Sequence, residues 1–257
     1  MNPTMKNSWS PIIIDGLILF AISTVFVVLL DIAFKSLPSA EDTSNPLVSE
    51  ILQSATLGSK KTGISDSVKQ TAQKDPSRVN QQDEHGDTPL MRTCYVNFDD
   101  YQATMSMDEI RLPYVLWLIE QKADVNTLDN NGWNALCWAS WSGTIKIADA
   151  LIKNGSNVNV ADQQGNTPLS IAALRGNPEI IRILIASGAN KKVTAKNGFK
   201  PVDFARQEFE RYGATFSPNE ELNALPPDSK KIDQNKSYFN NRNRIQRFKE
   251  SIELLSE

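Results

Sequence analysis

His85 is the only histidine of the chain, and Cys94 and Cys137 are its only cysteines. That set is too small for a zinc cluster, which draws several Cys and His ligands, and too small for a disulfide framework. Both cysteines read as small buried packing residues. His85 reads as a surface side chain in a turn rather than a general base. The stretch GSKKTG, Gly58 to Gly63, has glycines and lysines but not the G-x-x-x-x-G-K-[ST] spacing that aims backbone amides at phosphates. No G-x-S-x-G, H-E-x-x-H or C-x-x-C occurs. Asp83, Asp129 and Asp162 share one position ahead of a glycine and are expected to brace turns by accepting local backbone N–H groups. The sequence therefore predicts no catalytic set, no metal ligands and no cofactor. The chemistry that remains is adhesive. GWNALCWASW, Gly132 to Trp141, holds three of the five tryptophans, Trp133, Trp138 and Trp141; rings of that size either fill a core or grip a partner.

The elements that position these rings repeat. Gly132, Gly165 and Gly198 are 33 residues apart, as are Gly143 and Gly176, Gly155 and Gly188, Leu136 and Leu169, and Ala139 and Ala172. Thr167-Pro168-Leu169 opens a helix, because proline at a first helical position lacks only an N–H that has no intrahelical partner. Gly176 ends that helix, Pro178 opens the next, and Ile180, Ile181, Ile183, Leu184 and Ile185 make the second strongly apolar before Gly188 terminates it. Each period is turn, helix, loop, helix. One such unit cannot bury its apolar face, so stacking is obligatory.

A 33-residue period with Thr-Pro-Leu in the turn resembles the ankyrin repeat family. Upstream, Gly86 and Thr88-Pro89-Leu90 restore the pattern, with Val115 to Asn126 as the matching second helix. Val79-Asn80, equivalent to Val125-Asn126 and Val158-Asn159, closes a degenerate repeat whose candidate helices are Leu47 to Leu57 and Val68 to Lys74. Downstream, NGFKPVDFARQEFERYG looks like the first helix of a terminal repeat, its charged face (Arg206, Glu208, Glu210, Arg211) suiting a cap. Gly86 to Gly132 is 46 residues, so the first full repeat carries 13 extra, expected as a loop around NFDDYQATMSMDEIRLPY. With Asp99, Asp100, Asp108, Glu109 and Tyr101, this loop reads either as surface elaboration or as an acidic partner contact. The resemblance assigns the slot after the turn glycine (Trp133, Phe199) and the slot at the end of the first helix (Tyr95, Trp141, Leu174) to a concave, partner-holding face. Trp138 shares its register with Ile171 and reads as core. Tyr95, Trp133, Trp141, Leu174, Phe199, Tyr101, Asp99 and Asp100 are therefore the candidate partner-binding residues. The alternative is that the rings pack on each other, on the insertion, or under the carboxy-terminal helix.

Ile12 to Phe34 is a 23-residue apolar stretch interrupted by Asp15 and Asp31. As a helix it covers about 34 Å, enough for a bilayer core. A cleaved signal peptide is the rival reading, with Pro38-Ser39-Ala40 a poor cleavage site. Lys6 ahead of the stretch orients the remainder outward, into a periplasm or equivalent compartment. A net charge of −3 offers no polycation for nucleic acid. Residues 213–237 read as a linker. Ile245, Phe248, Ile252 and Leu255 mark an amphipathic helix over Tyr238 to Glu257 that either packs back on the array or meets a partner.

The expected organisation is an all-α, ankyrin-type solenoid preceded by one transmembrane or signal helix. Its parts are 1–36 (anchor or signal), 37–78 (linker and degenerate capping repeat), 79–212 (repeats) and 213–257 (linker and terminal helix). The expected role is a non-enzymatic, membrane-tethered adaptor or inhibitor that holds another protein, with no nucleic acid and no small-molecule substrate. An immunity-type inhibitor of a toxic hydrolase is one version. A structural organiser of a membrane complex, working through the terminal helix, is the alternative.

Overall fold

The computed structural model describes residues 45–56, 64–96, 101–214 and 232–256, the side chains of 101–106, 213–214 and 232–242 excepted. Among the described residues every regular element is helical. In chain order these are α1 (Pro46–Thr56), α2 (Asp66–Lys74), a 3-10 turn (Pro76–Val79), α3 (Pro89–Cys94), α4 (Tyr101–Glu120) and α5 (Ala135–Ser142). Then come α6 (Ile145–Lys153), α7 (Pro168–Arg175), α8 (Pro178–Ala186), α9 (Pro201–Ala214) and α10 (Ile232–Ser256). The first helices α1, α3, α5, α7 and α9 pack successively on one another; the second helices α4, α6, α8 and α10 form a second row behind them. Among the described residues no helix is long and apolar enough to cross a membrane. The apolar stretch Ile12 to Phe34 lies outside the described residues, as do GSKKTG and 215–231.

Local chemistry explains each boundary. Thr167 accepts from the Ser170 N–H at 3.3 Å while Ser170 Oγ accepts from the Thr167 N–H at 2.7 Å, a reciprocal cap ahead of Pro168. Asn134 serves α5, accepting from Cys137 N–H at 3.0 Å. Gly176, at φ +62°, closes α7 in the left-handed region. The aspartates brace the turns as expected: Asp129 Oδ1 accepts from Asn131 and Trp133 N–H, and Asp162 Oδ1 from Gln164 and Asn166 N–H.

Two ladders join the repeats. At the turn fingers, Asn130 N–H donates to His85 O, Gln163 N–H to Asn131 O, and Lys196 N–H to Gln164 O, at 2.8–3.1 Å. Behind the second helices, Asn80, Asn126 and Asn159 each accept the N–H of a residue in the next repeat (Asp124, Asn157, Asn190) and donate to a carbonyl there (Lys122, Gly155, Gly188). The recurring Val-Asn pair is thus a valine that is buried at Val79 and Val125 and partly exposed at Val158, with an asparagine that fixes the next unit.

The structure corrects two expectations about length. The insertion is not a loop from Tyr101 onward: it lengthens the second helix of the repeat into the 20-residue α4, with Pro113 inside. Pro113 and Glu109 are both exposed, so the carbonyl that proline leaves unbonded meets solvent. Asp108, expected on an acidic outer loop, is 0% exposed. It accepts from Lys146 N–H at 2.7 Å and Ile147 N–H at 3.0 Å, capping α6 from the preceding repeat where Thr144 makes no side-chain cap bond. Glu109 beside it pairs with Lys146 Nζ at 2.6 Å. The second correction is that α10 begins at Ile232, six residues before Tyr238.

α10 packs against α9, α8 and α7 and so supplies the second helix that the terminal repeat lacks. Phe248 is 1% exposed, stacks on Tyr212 at 5.8 Å, and sits where a Cβ on Gly176 would fall 2.9 Å from its ring. Arg247 donates to Gly176 O at 2.9 Å and to Asn177 Oδ1 at 2.9 Å, and Arg182 pairs with Glu250. The expectation that the terminal helix packs back on the array is met.

Candidate partner-binding face

Two positions recur in each repeat, the first and sixth after the turn glycine. They touch each other as Asp87 with Arg92, Trp133 with Trp138, and Phe199 with Phe204; in the third repeat the two positions hold Asn166 and Ile171. The aromatic pairs meet edge to face, Trp133 with Trp138 at 5.0 Å and Phe199 with Phe204 at 5.5 Å. A third position, the ninth, ends the first helix and carries Tyr95, Trp141 and Leu174, all partly exposed.

From these slots the fold builds one contiguous aromatic cluster. Tyr95 meets Trp138 at 5.2 Å, Trp138 meets Trp133, and Trp133 meets Trp141 at 6.0 Å. Arg175 continues it, its guanidinium 4.6 Å from the Trp141 ring centroid and its Nε donating to Trp141 O at 3.2 Å. Of the expected site residues, Tyr95, Trp133 and Trp141 are brought together. Leu174 occupies the matching slot of the next repeat, and Phe199 belongs to a separate pair at the fourth finger. Asp99 and Asp100 lie outside the described residues, and so does the Tyr101 side chain.

Trp133 needs a correction. Expected at the surface of the stripe, it is 3% exposed. Its slot reaches toward the next finger, where Asp162 uses Oδ1 for backbone N–H groups of its own turn while Oδ2 accepts from Asn166 Nδ2 at 3.0 Å and from Trp133 Nε1 at 2.9 Å. Trp138, 2% exposed, likewise donates to Asp129 Oδ2 at 3.2 Å. With both indole N–H groups bonded, these two rings enter the interior without an orphaned donor. They form the floor of the cluster, and Tyr95 and Trp141 are its partly exposed rim.

Arginines hold the rim in ways the period does not announce. The first helices α3, α5 and α7 each end on a carbonyl that a guanidinium from another element reaches. Arg111 donates to Thr93 O and Tyr95 O, Arg175 to Trp141 O, and Arg247 to Gly176 O. Cations at helix C-termini oppose the negative end of the dipole. Burial pushes the Tyr95 phenol above its ordinary value against the pull of Arg175 and Arg92, so it stays neutral at ordinary pH. Glu208, buried in α9, is raised by burial, with Arg211, Arg244 and Arg175 opposing.

The Asp87 carboxyl is pushed up to about 7, by burial first and then by the negative charges of Asp83 and Asp129, with Arg92 opposing. Burial drives the thiols of Cys94 and Cys137 upward, so both are inert packing groups. Among the described residues no three His, Cys, Asp or Glu side chains come together to hold a metal ion.

No curated protein matches this sequence. The family model described as ankyrin repeats (3 copies) matches residues 55–162 and 104–197, together more than half of the chain. Proteins of this kind are generally non-enzymatic and act by binding other proteins. The stacked helix pairs, the laddered fingers and the family match agree: the chain belongs to the ankyrin repeat family and is a protein–protein interaction module.

Proposed function

We propose that this protein is a membrane-tethered adaptor or inhibitor that captures one partner protein on the concave face formed by its fingers and first helices. The observation that carries this reading is the cluster Tyr95–Trp138–Trp133–Trp141 capped by Arg175. A rigid aromatic floor with a Tyr, Trp and Arg rim has the composition of a binding hot spot, where single residues contribute about 2 kcal/mol or more. Ile12 to Phe34 supplies the tether, and the charge flanking it favours an extracytoplasmic array. Neutralising a toxic hydrolase is one form of such capture.

The alternative, an organiser acting through its terminal helix, is disfavoured by the burial of Phe248 and Leu255, whose apolar face already serves α9, α8 and α7. Trp141→Ala combined with Leu174→Ala tests the reading. Both side chains are partly exposed, so the array is expected to stay folded while capture of the partner from native membranes falls at least tenfold. Capture at the wild-type level by the folded double variant would reject the face. Trp133→Ala is a poor test, because it removes a core ring.

A further inference from the structure

In the first full repeat the slot that Trp133 fills in the second holds Asp87. Trp133 sends an N–H to the Asp162 carboxylate of the following finger. Asp87 places a carboxyl group in that slot, and the negative charge of the equivalent Asp129 acts on it. Asp129 is already engaged: Oδ1 accepts from Asn131 and Trp133 N–H, and Oδ2 from Trp138 Nε1. Asp83, in Asp87's own finger, uses Oδ1 for the His85 and Asp87 N–H groups. From α3, Arg92 Nη1 reaches Asp87 Oδ2 at 3.5 Å, long for a charge-assisted bond. At the tip of the same finger, His85 lies 3.6 Å from Glu84. Asp87 itself is 3% exposed, and its Oδ1 is buried with no hydrogen-bond partner. A buried carboxylate oxygen without a donor, acted on by the charges of two further carboxylates, is a place for a proton.

We propose that Asp87 is a proton-operated latch between the first and second fingers. Protonated, it is a neutral group that offers an O–H toward the Asp129 side of the interface. Ionised, it adds a third negative charge to those of Asp83 and Asp129, answered by Arg92 through one long contact to Oδ2, and the two fingers loosen. The burial and like charges that raise the Asp87 carboxyl place the change near neutrality. Trp138 transmits it, since its indole N–H is bonded to Asp129 and its ring meets both Tyr95 and Trp133. Any effect on capture rests on the proposed binding role; the latch does not, so it is tested without a partner.

Hydrogen exchange of the full chain, corrected for the intrinsic pH dependence of exchange, is followed over 83–88 and 129–134 from about pH 5.5 to about pH 8.5. In wild type and in His85→Gln, protection of both fingers is expected to fall about tenfold with a midpoint near neutrality, a loss that is absent in Asp87→Asn. A carboxyl-carbon NMR titration of Asp87 in the wild-type chain provides a second reading should the variant not fold, with the midpoint again expected near neutrality. A flat wild-type profile, a slope that persists in Asp87→Asn or disappears in His85→Gln, or an Asp87 midpoint below about 5 overturns the latch.

Discussion

Gly176 and Gly188 allow the docking of α10 to be weighed against a built-in control. Both are in the left-handed region, at φ +62° and +87°. A methyl group at Gly188 meets nothing within 4 Å, whereas one at Gly176 would lie 2.9 Å from Phe248 Cε1 and 3.0 Å from Cδ1 and Cζ. Gly188→Ala therefore reports the backbone strain alone, about 1–2 kcal/mol. Gly176→Ala carries the same strain plus the displacement of a ring that is 1% exposed and stacked on Tyr212. Overpacking of that kind costs about 1–3 kcal/mol more. Urea denaturation of the full chain in mild detergent gives both values, and hydrogen exchange over 244–256 shows whether the excess belongs to α10. A difference between the two variants below about 0.5 kcal/mol, or unchanged protection of α10 in Gly176→Ala, would refute the docking described above and return the terminal helix to the pool of free partner-binding elements.

Three further outcomes follow from the interior. Asp108→Asn leaves one amide oxygen where two carboxylate oxygens met Lys146 and Ile147 N–H; it is expected to cost about 1–2 kcal/mol by urea denaturation and to raise exchange selectively at the start of α6. Trp133→Phe removes the donor to Asp162 Oδ2 and part of a buried ring, about 1–2 kcal/mol; a neutral result would mean that the indole N–H bond contributes nothing. Asp87 binds a proton in the fold with a pKa of about 7, against 3.8 ordinarily. Its contribution to stability is complete below about pH 3.8 and is lost as pH rises through about 7, by at most about 4 kcal/mol. Asp87→Asn should remove that component, so melting temperatures of wild type and variant should separate between about pH 4 and about pH 7, with the variant relatively higher as pH rises, and keep a constant gap above; curves that stay parallel between about pH 4 and about pH 7 would contradict the assignment.

The repeat frame was legible because its signals are local and periodic. Glycines that must adopt positive φ, threonines and asparagines that cap helices, and aspartates that brace turns each act within a few residues of themselves. The 33-residue spacing therefore located α5 to α9 and the register of the aromatic slots. The aromatic types were legible too, but not which rings enter the interior. Trp133 is buried with its N–H bonded because Asp162, 29 residues on, offers an acceptor, and register alone does not reveal that Oδ2 faces the indole. The insertion defeated the periodic reading because its 13 extra residues have no counterpart in the other repeats to set their register; they extend a helix that runs through the exposed Pro113. Asp108 looked like one acid among several; only the packing of α4 on α6 turns it inward. The guanidinium caps were invisible for the same reason: Arg111 belongs to the insertion and Arg247 to the tail, both outside the period. That α10 completes the last repeat is hidden because the sequence between α9 and α10 carries no repeat signal.

The partner-binding face is tested most directly by a photo-crosslinking residue placed singly at positions 141, 174 and 153 and irradiated in native membranes. Lys153 ends α6 in the second row and is exposed, so it reports the opposite face. The account expects one discrete adduct of the same mass from 141 and 174 and none from 153. An adduct from 153 as strong as those from 141 and 174, or no adduct from either 141 or 174, would contradict it.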